Sequence, residues 1–159
     1  MAETVTKQNT KITYHDQHIE IEREFDAPAS RVFAAYTTPA EIEKWWGPAQ
    51  YETRVDALEP RIGGEWRFTH PDTGQGEHAF RGVFHEVVEN ERIVQTFEYL
   101  GAPGHVSLET MRFEDIGGRT KLTAIAVFGA PEALEAMKAS GMEAGMLETY
   151  DRLAVLVSD

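Results

Sequence analysis

Residues 25–48, F-D-A-P-A-S-R-V-F-A-A-Y-T-T-P-A-E-I-E-K-W-W-G-P, decide the fold, because they read as a strand end, two short helices and an aromatic step in succession. Pro28 suits a first helical position, where its missing N–H would have had no partner anyway. Val32, Phe33 and Tyr36 then repeat at helical spacing. Thr38 is a natural N-cap, Pro39 a natural first residue, and Glu41 stands three residues after Thr38 as a capping-box partner. A second short helix therefore begins where the first ends, and Trp45 and Trp46 close it.

Working outward, residues 18–25 place Ile19, Ile21, Arg23 and Phe25 on one face and Glu20, Glu22 and Glu24 on the other, the period-2 pattern of a half-buried antiparallel strand. This should be the first strand. Residues 51–58 and 64–70 read as the next two, with a turn-rich connection, P-D-T-G-Q-G, at 71–76. Residues 77–88, 92–100, 106–115 and 119–128 follow as a meander, since connections this short force neighbouring strands to be antiparallel. From Pro131 the period changes. Leu134, Met137, Gly141, Met142, Gly145, Met146, Thr149, Leu153 and Leu156 fall on one helical ladder, predicting a single amphipathic helix of about 26 residues, nearly 40 Å long at ~1.5 Å per residue. Gly141 and Gly145 each cost that helix about 1 kcal/mol relative to alanine, so something should lie close to their face.

The expected fold class is α+β: a curved seven-stranded antiparallel sheet gripping a long C-terminal helix, with two short helices after the first strand. This resembles the START-like (SRPBCC, helix-grip) superfamily and, within it, the group named after the activator of Hsp90 ATPase. Four pieces carry the resemblance: F-D-A-P-A-S-R-V-F-A-A-Y, P-A-E-I-E-K-W-W-G-P, I-G-G-E-W-R-F and G-M-L-E-T-Y-D-R-L-A-V-L. The group commonly opens the last piece with Gly-Trp. Here Met146 follows Gly145, so the pocket shape should differ.

Composition sets the outer bounds. With 159 residues the chain is one domain's worth, able to bury roughly 70% of its extended surface around a single core. Residues 1–14 are polar and lack an apolar signal-peptide core, so they read as a loose lead-in to a single domain at 15–159. No apolar run approaches the ~18 residues needed to span a bilayer. The absence of cysteine removes disulfides and thiolate chemistry and fits a cytoplasmic protein. A formal net charge of -12 repels phosphate backbones and anionic lipid, and the arginines are scattered singly, so neither nucleic acid nor membrane is an expected partner.

A curved sheet held against a helix leaves either a packed core or a hollow. Trp66 and Phe68 share a face on one strand, His78, Phe80, Gly82, Phe84 and Glu86 on the next, and Ile93, Gln95, Phe97 and Tyr99 on the third. With Met142 and Met146 from the helix and Trp45 and Trp46 at the mouth, these would line a mostly apolar pocket with a few orienting polar groups. Plain core packing is the competing reading for the aromatic positions. Glu86 either faces the hollow with a raised pKa or forms an ion pair, with Arg112 in reach. No metal site is expected: His78 and His85 are an odd number of residues apart on one strand and point to opposite faces, and H-E-x-x-H is absent. His15 and His18 should be solvated near the frayed start. The glycine pairs lack a following helix and a Lys-Ser/Thr, so no nucleotide cofactor is expected.

Three functions stay open on this reading. The first is a binding protein for a small, apolar or amphipathic ligand. The resemblance implies a second, a chaperone partner regulating an Hsp90-type ATPase, although the Hsp90 activators also use a separate N-terminal domain for which this chain has no room. The third, also implied by the superfamily, is a cyclase-, dehydratase- or hydrolase-like enzyme using Glu86, His78 or Tyr99. Trp45 and Trp46, if exposed, would serve as a lid or a dimer contact.

Overall fold

The computed structural model describes residues 2–158. Nine strands and four helices follow one another in the order β1 (Glu3–Lys7), β2 (Thr10–Tyr14), β3 (His18–Phe25), α1 (Ala29–Thr37), α2 (Pro39–Trp45), β4 (Arg54–Leu58), β5 (Glu65–His70), β6 (His78–Val88), β7 (Arg92–Tyr99), β8 (Val106–Asp115), β9 (Thr120–Val127), α3 (Pro131–Ala139) and α4 (Met142–Val157). All strands belong to one antiparallel sheet in the order β1-β2-β3-β9-β8-β7-β6-β5-β4. The chain leaves the sheet after β3, forms α1 and α2, re-enters at the far edge and meanders back until β9 pairs with β3.

The sheet has nine strands rather than seven because residues 3–14 form a hairpin instead of a loose lead-in. Its two-residue turn, Gln8-Asn9, has positive φ at both positions, the geometry that matches strand twist. Thr10, Ile12 and Tyr14 alternate inward and are buried, whereas Lys11 is exposed. The hairpin is tied to α4: Lys7 pairs with Glu143 at 3.2 Å, Tyr14 Oη donates to Glu143 Oε1 at 2.7 Å, and buried Arg23 on β3 reaches Asp151 at 2.8 Å. His18 is part of β3, and its ring stacks on His15 at 4.1 Å.

The predicted C-terminal helix is two helices. The break falls at Ser140-Gly141, where Gly141 takes a left-handed φ of 86° that a helix interior does not allow. Helix α4 then runs for 16 residues, about 24 Å at ~1.5 Å per residue.

Helices α1 and α2 form the expected step, with one local difference. Thr38 is the N-cap and Pro39 the first residue of α2, but no side-chain capping bond forms. Glu41 instead takes both amino groups of Arg31, at 2.7 and 3.3 Å, and Arg31 also donates to the Leu156 carbonyl at 3.2 Å. An arginine that satisfies a carboxylate bidentately outcompetes a backbone cap. The ion pair locks α1, α2 and the end of α4 together. Trp45 is only 2% exposed and donates its indole N–H to the Ala35 carbonyl at 2.9 Å, so it is a core residue and no dimer contact.

Candidate functional site

Helix α4 lies across the concave side of the sheet, and beneath its first three turns the side chains do not meet. A cavity of about 360 Å³ remains, at the small end of the ~300–1,000 Å³ range of ligand pockets. Its helix side is Met142, Gly145, Met146, Thr149 and Tyr150, and a Cβ built on Gly145 would have no neighbour within 4 Å.

One wall is aromatic. Trp46 packs edge-on against Phe68 at 5.0 Å and Phe80 at 5.1 Å, and Trp66 lies 4.8 Å from Phe68 and 5.8 Å from Phe97. Strand alternation puts these rings inward on β5, β6 and β7, and α2 delivers Trp46 on top of them. Trp45, Trp46, Trp66, Phe68, Phe80, Phe84, Phe97, Met142 and Met146 all line the cavity.

His78, Glu86 and Tyr99 do not. His78 and Tyr99 are on the inward face at the strand ends, Tyr99 opposite Phe80 and His78 one step further out, and their rings meet edge-on at 5.7 Å. Glu86 is displaced by a β-bulge: the register slips between Phe84 and Glu86, so Glu86 sits opposite Val94 on the outer face and Val87 takes the inward position opposite Ile93. One inserted residue reverses every later side chain on the strand. Glu86 accepts from Arg92 Nε at 2.6 Å, and this bond holds its carboxyl below the ordinary range. Its ion-pair partner is therefore Arg92, diagonally across on β7, not Arg112.

The cavity's carboxylate is Glu109, on β8. Ser107, Glu109, Met111 and Phe113 alternate inward, and Glu109 faces the hollow, enclosed by protein on its remaining sides. Gln95 Nε2 on β7 donates to its Oε1 at 2.9 Å. Burial pushes the Glu109 carboxyl up to about 6, a shift the Gln95 bond offsets only in part. Tyr36 from α1 and Tyr150 from α4 complete this polar end. Burial raises both phenols, and the negative charge of Glu109 adds to the effect.

Across the cavity stands His70, the last residue of β5, which is 3% exposed. Its Nδ1 faces the Glu52 carbonyl at 3.1 Å, and because a carbonyl only accepts, Nδ1 carries the hydrogen and Nε2 is the free acceptor of the neutral ring. Burial lowers its pKa and keeps it neutral near pH 7. The segment after α2 lies directly on this ring: a Cβ on Gly47 would come within 2.6 Å of His70 Cε1, and Gly47 itself has a φ of 83°. Arg152 of α4 fixes that segment by donating to the Gly47 carbonyl at 2.6 Å and the Lys44 carbonyl at 2.7 Å, while Glu148 accepts from Ala49 N–H at 2.9 Å.

Among the described residues no group of three His, Asp or Glu side chains is placed to hold a metal ion, and no helix is long and apolar enough to cross a membrane.

A bent antiparallel sheet with a C-terminal helix laid in its concavity is an α+β arrangement of the helix-grip kind. The chain belongs to the family described as Activator of Hsp90 ATPase homolog 1-like protein, whose model matches residues 26–158. Solved bacterial structures share the fold. A protein from Arthrobacter aurescens is 23% identical, with a TM-score of 0.83 over 98% of this chain and 91% of that one. One from Rhodobacter sphaeroides is 22% identical, with a TM-score of 0.83 over 99% and 98%, and one from Chromobacterium violaceum is 24% identical, with a TM-score of 0.80 over 91% and 99%. No curated protein matches the chain.

Proposed function

We propose that this chain is a binding protein for a small, largely apolar molecule held between the sheet and α4. The observation that carries the reading is the unfilled space of about 360 Å³ at Gly145, walled by aromatic rings and provided with a few polar groups at one end. Protein interiors normally close such voids, since each unfilled volume forfeits dispersion contacts. A hollow kept open by a glycine in mid-helix is a cost the chain carries where a ligand would recover it.

The test is a calorimetric titration with 2-naphthylmethanol, a neutral bicyclic probe sized for the hollow. Saturable binding is expected, with loss of binding in Gly145→Leu, whose side chain enters the same space. Absence of binding by the wild-type protein, to this probe and to a panel of comparable lipophilic compounds, would falsify the reading.

An enzymatic reading has one observation in its favour: Glu109, with its carboxyl at about 6, is poised to give or take a proton from a bound molecule. It moves the candidate carboxylate from Glu86 to Glu109, and loss of turnover in Glu109→Gln with binding retained would support it. Regulation of a chaperone ATPase rests on the family's description alone and ranks below both.

A further inference from the structure

We propose that the cavity selects a small lipophilic amine, whose ammonium group sits against Glu109 while its apolar body lies among the aromatic rings. The inference rests on the reading of the cavity as a ligand site and adds the charge of the ligand.

Four observations converge on it. Glu109 is the one carboxylate in the lining, and the lining contains no lysine or arginine. Among the described residues its only hydrogen-bond donor is neutral Gln95, which takes Oε1; Oε2 has no partner among them and is not sealed from the cavity. A buried carboxylate without a cation is costly, and a ligand that brings the cation removes that cost as it binds. A fatty acid or any other carboxylate would instead add a second negative charge beside the first.

The surroundings suit a lipophilic ammonium in two further ways. Its three N–H donors find the carboxylate and the phenol oxygens of Tyr36 and Tyr150, which stand close enough to feel the charge on Glu109. Trp46, Trp66 and Phe97 line the same cavity and give the ligand's apolar body an aromatic wall. At longer range, the net charge of -12 draws cations toward the molecule and repels anions.

The groups that face Glu109 set the pH dependence. Gln95 on β7 and Ala126 on β9 do not titrate, and Tyr36 and Tyr150 stay neutral because both phenols are raised. His70, across the cavity, is neutral at pH 7 and gains positive charge only on acidification. Protonation of Glu109 and of His70 therefore act in the same direction, both weakening the hold on an ammonium as pH falls.

The experiment compares three isosteric probes by calorimetry on the full chain: 2-naphthylmethylamine, 2-naphthylmethanol and 2-naphthoic acid. At pH 8 the amine should bind at least about tenfold more tightly than the alcohol, the gain expected for one charge-assisted hydrogen bond, and the acid should not bind measurably. That preference should shrink severalfold between pH 8 and pH 5. In Glu109→Gln the amine should lose its advantage and fall to the level of the alcohol, with cooperative urea unfolding of the variant reporting a folded chain. Equal binding of amine and alcohol to the wild-type protein, or an amine preference that survives Glu109→Gln, overturns the inference and leaves the cavity reading standing. Failure of all three probes overturns the inference, and together with failure of the lipophilic panel it removes the cavity reading as well.

Discussion

The same sheet and the same helix build two different interiors, one at each end of α4. Toward its C-terminus, Leu153 and Val157 belong to one buried cluster with Ile12, Phe25 and Leu122 from the strands and Val32 and Phe33 from α1, and Phe33 is edge-on to Phe113 at 5.5 Å. Toward its N-terminus, Gly145 and Thr149 face strands that carry equally large rings, and about 360 Å³ stays open. Large side chains, Met142, Met146 and Tyr150, stand on α4 at this end too; the room comes from Gly145 and Thr149 on the helix and from Ala124 and Ala126 on β9. The hollow is thus written in small residues on both walls, and Glu109, Gln95, Tyr36 and Tyr150 are its polar groups.

The largest effect should separate the two ends directly. Leu153→Ala removes a side chain that is 0% exposed and surrounded on all sides, so it should cost about 3–5 kcal/mol in urea denaturation. Met146→Ala, at the open end, removes a side chain that already faces empty space and should cost about 1–2 kcal/mol. Equal costs would mean that the hollow collapses in solution.

Next in size is the effect of the buried carboxyl on stability. Glu109 titrates at about 6 in the folded chain against an ordinary 4.5, so folding favours its protonated form. Its contribution is therefore fully present below about pH 4.5 and is lost as pH rises through 6, a swing of about 2 kcal/mol. Glu109→Gln stays neutral throughout. Relative to wild type the variant should gain about 2 kcal/mol between pH 4.5 and pH 8, measured by urea unfolding at both values; a difference that does not change with pH would remove the claim that this carboxyl is desolvated.

Much of the fold and part of the site could be read from residues alone, and the failures have separate physical causes. The α1–α2 step and the last two strands of the meander were legible because Pro39, the β-turn glycines and long alternating runs all agree. Hairpin β1–β2 was obscured by its polarity, although Thr10-x-Ile12-x-Tyr14 alternates and Gln8-Asn9 is a two-residue turn. Glu86 was misplaced by a bulge, which alternation cannot see: it needs the pairing partner, Val94, to fix the face. Glu109 was missed because both faces of β8 look plausible as the inner one. The outward set contains Val106 and Leu108, 46% and 41% exposed, while the inward set contains a serine and a glutamate. Only Met111 and Phe113 further along the strand favour the correct choice. His70 ends the strand read at residues 64–70, and nothing in its neighbours announces that the chain after α2 folds back over it.

The smallest predicted effect concerns two glycines four residues apart, which look alike in sequence and differ in kind. Gly141 breaks the C-terminal helix with a φ of 86°, a conformation that alanine adopts only under strain, so Gly141→Ala should destabilise the chain. Gly145 lies inside α4 with ordinary helical backbone, and a methyl group there meets nothing within 4 Å. Gly145→Ala should stabilise the chain by about 1 kcal/mol through helix propensity. The same methyl group projects into the hollow, so the variant should bind 2-naphthylmethanol severalfold more weakly than wild type. Stability that rises while affinity falls would show that Gly145 is kept for the space it leaves. If both rise together, the space beneath α4 is not where the probe resides, and the contrast between the two ends of the helix describes packing alone.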